Sequence, residues 1–334
     1  MSDGKVLVAG GGGFIGGHLV ARLLADGRRV RSVDVEPIEN WHQVHPDAER
    51  MVLDLSDIDQ CRKAVDGIDE VFNLAADMGG MGYIERFKAN CMLSVLINTH
   101  LLMAARDAGV ARYFYASSAC VYAADKQTTT DAEAGLREED AYPAMPEDGY
   151  GWEKMFSERM CRHFREDFGL ATRVGRYHNI YGTHTTWDGG REKAPAALTR
   201  KAIQAKRSND RRIGIWGDGQ QRRSFTHVDD CVEGTLKLMY SDCPEPLNIG
   251  SDEMVSIDEL VSILEDIAGV ELQREYQPDA PKGVRGRNSN NDRVKAELGW
   301  APQVDLRSGM TEMYQWIESQ IAQGIPSKQR ASSA

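Results

Sequence analysis

Short β-branched runs at residues 5–9, 30–33, 51–53, 70–75, 111–116 and 171–176 alternate with stretches at 14–25, 57–65, 86–107 and 150–168 whose apolar residues recur at helical spacing. Strand, helix and strand in succession bury both faces of a sheet as crossover units, and the sheet is then parallel. The alternation predicts an α/β fold, a doubly wound parallel sheet of the Rossmann type, over residues 1–178. Beyond 178 the pattern becomes irregular and Gly, Pro and basic residues crowd in, with helical spacing at 194–205, 228–239, 257–268, 292–298 and 306–321. At 334 residues the chain exceeds what one core usually serves. We expect 179–325 to form mainly a smaller C-terminal substrate-binding lobe, with 222–250 returning to the first domain through a strand at Pro246-Leu-Asn-Ile-Gly250. Residues 326–334 read as a disordered tail.

The first strand ends in Val8-Ala-Gly-Gly-Gly-Gly-Phe-Ile-Gly16. Gly10, Gly13 and Gly16 permit a tight turn, close approach of backbone to a pyrophosphate, and tight packing of the helix opened by Phe14 and Ile15. Asp34 closes the second strand, where an acid accepts hydrogen bonds from ribose hydroxyls and repels a 2′-phosphate, so the expected cofactor is NAD. Asp54, after the third strand, has two readings, adenine contact or helix cap. Trp41, His42 and His45 fall in the loop after Asp34 and read as a cover for adenosine rather than a metal site.

Lys and Arg total 40 against 51 Asp and Glu, a net charge of −11, which argues against nucleic acid or an anionic membrane as partner. Six cysteines are scattered without C-x-x-C or zinc-type spacing, so no metal site is expected and reduced thiols in the cytoplasm are. No signal-peptide pattern opens the chain and no apolar run reaches the ~18 residues of a membrane span.

Ser118 and Cys120 stand two apart after the fifth strand, and on a strand such residues share a face. Tyr-x-x-x-Lys occurs twice. Tyr122 to Lys126 runs into a polar stretch at 127–131 and reads as a solvated accident, whereas Tyr150 to Lys154 opens an apolar-striped helix with Met155, Phe156, Met160 and Phe164. A phenol of pKa ~10 needs a nearby positive charge to act as a base at neutral pH, and Lys154 is placed to supply one. Tyr150 then takes a hydroxyl proton as hydride leaves for NAD, Lys154 holds the nicotinamide ribose, and Ser118 hydrogen-bonds the reacting oxygen.

The glycine triplet, Asp34, Ser118 and the Tyr150/Lys154 pair together resemble an extended short-chain dehydrogenase/reductase of the nucleotide-sugar-modifying kind. The segments Asn73-Leu-Ala-Ala-Asp-Met-Gly-Gly-Met-Gly82, Ser117-Ser-Ala-Cys120, His178-Asn-Ile-Tyr-Gly182, Gly189-Gly-Arg-Glu-Lys-Ala-Pro-Ala-Ala197, Trp216-Gly-Asp-Gly219, Arg223-Ser-Phe-Thr226 and Gly283-Val-Arg-Gly-Arg-Asn-Ser289 narrow the resemblance to the GDP-mannose 3,5-epimerase branch. It runs from about residue 5 to 320. It implies GDP-mannose or a related nucleotide sugar as substrate, a transient 4-keto sugar, Cys120 as base and Lys193 as the opposing acid at carbons three and five. It further implies substrate contacts from Gly79, Asn179, Lys201, Gln221, Arg223 and Arg287 and a homodimer formed through helices 86–107 and 150–168, while the neighbouring Glu192 is placed in the sequence to polarise or orient Lys193 and to line the substrate site.

Plainer readings stand beside these. Cys120 can be a small core residue, and Lys193, Lys201 and Arg287 can be solvated charges. His184 departs from the family pattern and either touches the sugar or faces solvent; the acid of Asn288-Ser-Asn-Asn-Asp292 is displaced. A 4-epimerase or dehydratase of another nucleotide sugar is the alternative chemistry, although Ala119 and Cys120 occupy the place where related dehydratases carry Asp-Glu. A non-catalytic NAD-binding scaffold would need the glycine turn but not the reactive side chains.

Overall fold

The order of the elements follows the alternation. β1 (Lys5–Ala9) runs through the glycine turn into α1 (Phe14–Ala25), followed by β2 (Arg29–Asp34), β3 (Glu49–Val52), α2 (Ile58–Val65), β4 (Glu70–Asn73), α3 (Met81–Arg86), α4 (Lys88–Asp107), β5 (Arg112–Ser118), α5 (Tyr150–Phe168) and β6 (Ala171–Tyr177). After β7 (Ile180–Tyr181) come α6 (Ala194–Ser208), β8 (Arg212–Trp216), β9 (Arg222–Ser224), β10 (Thr226–His227), α7 (Val228–Met239) and β11 (Leu247–Ile249). β12 (Met254–Ser256), α8 (Ile257–Ala268), β13 (Gln273–Gln277), β14 (Gly286–Arg287), α9 (Asp292–Leu298) and α10 (Leu306–Ala322) complete the chain. The computed structural model describes residues 4–128, 135–281 and 283–328; the first three residues, the polar run at 129–131 and the tail at 329–334 lie outside the described residues.

Seven parallel strands in the order β11-β6-β5-β4-β1-β2-β3 form the main sheet. It is the doubly wound sheet that the alternation predicts, and its order reverses beside β1, which opens a crevice at the strand C-termini. Alternate residues of β1 feed the two cores. Val6 and Val8 join Leu19 of α1 and Leu236 of α7, while Leu7 and Ala9 join Cys61, Leu101 and Cys161 on the opposite face. Cβ alternation along a strand produces both sets from one five-residue run.

The smaller lobe has its own core of Ile203, Leu260, Leu264, Met310 and Met313. Its three-stranded sheet places β9 between β12 and β14, and the register sets Arg287 beside Arg223. Ser256 and Glu259 open α8 with a reciprocal capping box, which satisfies two helix-end N–H groups. The return from the lobe to the main sheet is made by α7 and β11, whereas Arg222–Ser224 stays in the small sheet.

Four local expectations are corrected. β4 stops at Asn73 because its side chain turns into the core, its amide donating to Asn98 and Tyr113 and its carbonyl accepting from Ala75 N–H. The helix expected at 86–107 is broken at Phe87, whose φ −118° and ψ 48° separate α3 from α4. Tyr122 is no surface residue: it is fully buried and donates to Asn248 at 2.5 Å, while Lys126 is exposed. Residues 326–328 are docked, with the N–H groups of Trp187 and Asp188 donating to Ser327 Oγ at 3.0 and 3.2 Å.

Candidate active site

Two cavities meet at the C-terminal ends of β1, β5 and β6. One, about 230 Å³, is lined by Gly10, Gly13, Phe14, Ile15, Gly16, Asp34, His42 and Lys154; the other, about 380 Å³, reaches into the small lobe and is lined by Asn179, Glu192, Lys201, Trp216, Gln221, Arg223 and Arg287. Met78, Gly79, Ser118, Tyr150, Tyr177 and Lys193 belong to both and form the junction.

The first cavity fits a dinucleotide. Gly10 has φ +78°, and a Cβ on Gly16 would fall 2.0 Å from Gly10 O, so the turn and α1 tolerate no side chain there. Gly13 caps α1 without a side-chain hydrogen bond, which leaves the helix N–H groups directed at the cavity. Asp34 accepts from Gly12 N–H and Glu36 N–H, both at 3.2 Å, and stands where a ribose would be met. Trp41 lies against Gly12, where a Cβ would come within 2.6 Å of the indole. His42 lines the cavity, and His45 contacts Gly17 O at 3.0 Å. Asp54 is not the cap of α2. It is exposed, bonds Ser56 N–H in a local turn, and leaves the capping of α2 to Asp57.

Ser118 is the last residue of β5, and Cys120 is not on the strand at all. It sits in a 3₁₀ turn, Ala119–Val121, with its N–H bonded to Ser118 Oγ at 3.2 Å. Ser118 lines both cavities and Cys120 the larger one, so the two residues come together through the turn and not through a shared strand face. Cys120 is 7% exposed, which sets it in a wall of the cavity rather than deep in the core.

Tyr150 opens α5 and is buried, with Lys154 Nζ 5.4 Å from its ring centre. Lys154 lies beside the ring, but burial sets the direction of the shift. Burial, reinforced by charge on Cys120 and Glu153, pushes the phenol well above its ordinary value, against a lowering hydrogen bond from Ser118. Lys154 spends its ammonium elsewhere, donating to Ala116 O at 3.2 Å and lying 3.6 Å from Glu153.

Lys193 precedes α6 at its N-cap, and desolvation lowers its pKa while charge on Cys120 works the other way. Glu192 does not orient it. The Glu192 carboxylate is taken by Gly190 N–H at 2.6 Å and Arg200 at 3.3 Å. Lys193 is placed instead by a clasp the sequence reading missed: Arg191 donates to Asp77 at 2.7 Å, to Met78 O and to Tyr83, and Gly80 N–H bonds Arg191 O. Among the other expected substrate residues, Lys201 donates to Gly214 O at 2.7 Å, Gln221 to Trp216 O and Asn179 to Ser224 O. Burial lowers Arg223 to about 10. Arg287 faces Cys120, Gln127 and Glu147. His184 packs between the His18 and Trp316 rings, away from the lining of the larger cavity.

The Arg191 clasp had a visible signal, since Asp77 and Arg191 both lie inside the quoted segments. Glu147 had a weaker one, three residues before Tyr150.

Comparison with known proteins agrees with this geometry. The model of the NAD dependent epimerase/dehydratase family matches residues 6–250. GDP-mannose 3,5-epimerase 1 of Oryza sativa subsp. japonica is 48% identical over 318 residues, covering 95% of this chain and 82% of the relative. GDP-mannose 3,5-epimerase of Arabidopsis thaliana is 46% identical over 318 residues, covering 95% and 83%. The crystal structure of UDP-glucose 4-epimerase from Thermotoga maritima with UDP-glucose superposes with a TM-score of 0.85 at 25% identity, covering 95% of this chain and 99% of that one.

Proposed function

The chain belongs to the NAD dependent epimerase/dehydratase family, and we propose that it converts GDP-mannose to GDP-L-galactose through a transient 4-keto sugar. The carrying observation is the junction itself, where Ser118, Tyr150 and Lys193 line both cavities and Cys120 lines the sugar side. The curated relatives at 46–48% identity support this substrate.

NAD, held by the glycine turn, Asp34 and Lys154, supplies the hydride acceptor and donor and a positive ring charge. Tyr150 takes the proton of the sugar's C4 hydroxyl, and Ser118 steadies that oxygen. A carbonyl at carbon four makes the hydrogens on carbons three and five acidic. Cys120 removes them from one side and Lys193 delivers protons from the other; the C4 hydroxyl is then restored, with no net redox change. Arg223 and Lys201 provide local positive charge for the diphosphate of the substrate in an otherwise acidic chain.

The protein acts as a homodimer. Met92, Leu93 and Leu96 of α4 and Trp152 and Phe156 of α5 are exposed apolar residues on two helices that pack together, a face suited to pairing with its own copy. Among the described residues, no helix is long and apolar enough to cross a membrane. All six cysteines are unpaired, in keeping with a reducing cytoplasm.

Incubation with GDP-mannose in heavy water, read by NMR, tests the reading. Products carrying deuterium at carbons three and five are expected, and Cys120→Ala should keep its NAD but stop incorporating label. A product inverted only at carbon four, or loss of water from carbon six, would instead establish the alternative chemistry.

A further inference from the structure

Arg287 is fixed on three sides. Its Nε donates to Gln127 Oε1 at 2.6 Å, its Nη1 to the Cys120 sulfur at 3.6 Å, and its Nη2 to Glu147 Oε1. The Arg287 and Glu147 side chains are only 6% and 13% exposed. Glu147 is tied to the thiol's own residue as well, because its N–H donates to Cys120 O at 3.0 Å. Its second carboxylate oxygen is buried with no hydrogen-bond partner among the described residues. The planar guanidinium has a fixed fork of donors, so three acceptors at its edges determine where its charge lies.

We infer that Glu147 is a positioning residue for the epimerisation: it anchors Arg287 against the Cys120 sulfur and limits how much of the guanidinium charge reaches the thiol. This deepens the reading of Cys120 as the base and rests on it. One thiol serving two carbons must take up a proton and then give it away. A sulfur facing an unopposed guanidinium would stay ionised, and one with no guanidinium would stay protonated; a carboxylate behind the arginine sets the balance between them. Replacing Glu147 therefore has two separable effects, one on charge and one on position.

The test is the pH dependence of Cys120 alkylation by iodoacetamide in the NAD-loaded protein without substrate, read by mass spectrometry of the Cys120 peptide. Glu147→Gln keeps an acceptor for Arg287 but removes the charge, so the ionisation midpoint should fall by about one unit, roughly a tenfold gain in thiolate. Glu147→Ala frees the arginine, so the midpoint should rise and solvent deuterium incorporation should fall at least about tenfold. Should Glu147→Ala fail to fold, Arg287→Lys, whose single ammonium cannot span the three acceptors, should give the same rise. Midpoints that stay at the native value, or that move in the same direction in both kinds of variant, overturn the inference. Because the titration needs no sugar, it stands apart from the Cys120→Ala labelling experiment, whose failure would remove the base and not the contact.

Discussion

Lys193 carries the sharpest prediction at the scale of single residues, because loss of solvation lowers an amine that the proposed reaction needs charged. A proton donor works below its pKa and fails above it. Deuterium incorporation should therefore fall as pH rises, with a midpoint below the 10.5 of an ordinary lysine. Lys193→Met should abolish incorporation while leaving bound NAD intact. The phenol of Tyr150 moves the opposite way, upward through burial, and its proton transfer should be the step helped by alkali. Tyr150→Phe should slow hydride transfer by about 10²–10⁴-fold, measured as the single-turnover change in nicotinamide absorbance. An alkaline limb shared by labelling and hydride transfer would show that Lys193 is not the group being titrated.

Among the elements, the turn between β1 and α1 makes the strictest demand. A methyl on Gly16 would stand 2.0 Å from Gly10 O, a backbone atom that no rotamer can move aside, so the turn must open to admit it. Gly16→Ala should lose its NAD on gel filtration while the small lobe keeps its secondary structure by circular dichroism. On α4 and α5, Leu93→Glu and Phe156→Glu should shift a dimer to monomer in sedimentation, since Leu93 is 59% and Phe156 51% exposed and neither belongs to the chain's own cores. These elements also show what the residue order makes legible. Phe14–Ala25, Tyr150–Phe168, Val228–Met239 and Ile257–Ala268 follow directly from apolar spacing, caps and glycines. The site residues on regular elements came from the same periodicity, or from family segments. What the sequence concealed were the turn that holds Cys120 and the choice of side-chain partners: Tyr122 reaching Asn248 across 126 positions, Arg191 clasping Asp77, and Glu192 drawn to Arg200. Local periodicity carries no information about which charge a carboxylate will meet, and that choice decided the corrected role of Glu192.

For the whole molecule, acid should loosen the fold through one buried and one half-buried histidine at two separate joints. His178 accompanies β6 and bonds Asn248 of β11 at 2.8 Å, and His42 holds the loop beside the glycine turn; burial lowers each to about 4. The unfolded chain titrates near 6.5, so between pH 6.5 and 4 it binds more protons than the folded one. Their contribution is fully present above 6.5 and is lost as pH falls towards 4, by about 3 kcal/mol for each histidine. The net charge of −11 diminishes over the same interval, which relieves self-repulsion and opposes the loss in part. Urea midpoints should therefore decline from pH 7 to pH 4, with the sheet edge at β11 and the cofactor loop exchanging their amide hydrogens faster than the core of β1 and β4. His178→Asn, weaker than native at pH 7 through its lost packing, should show a shallower decline because it has no imidazole to charge. An equal slope in that variant would place the acid sensitivity in groups other than this buried ring.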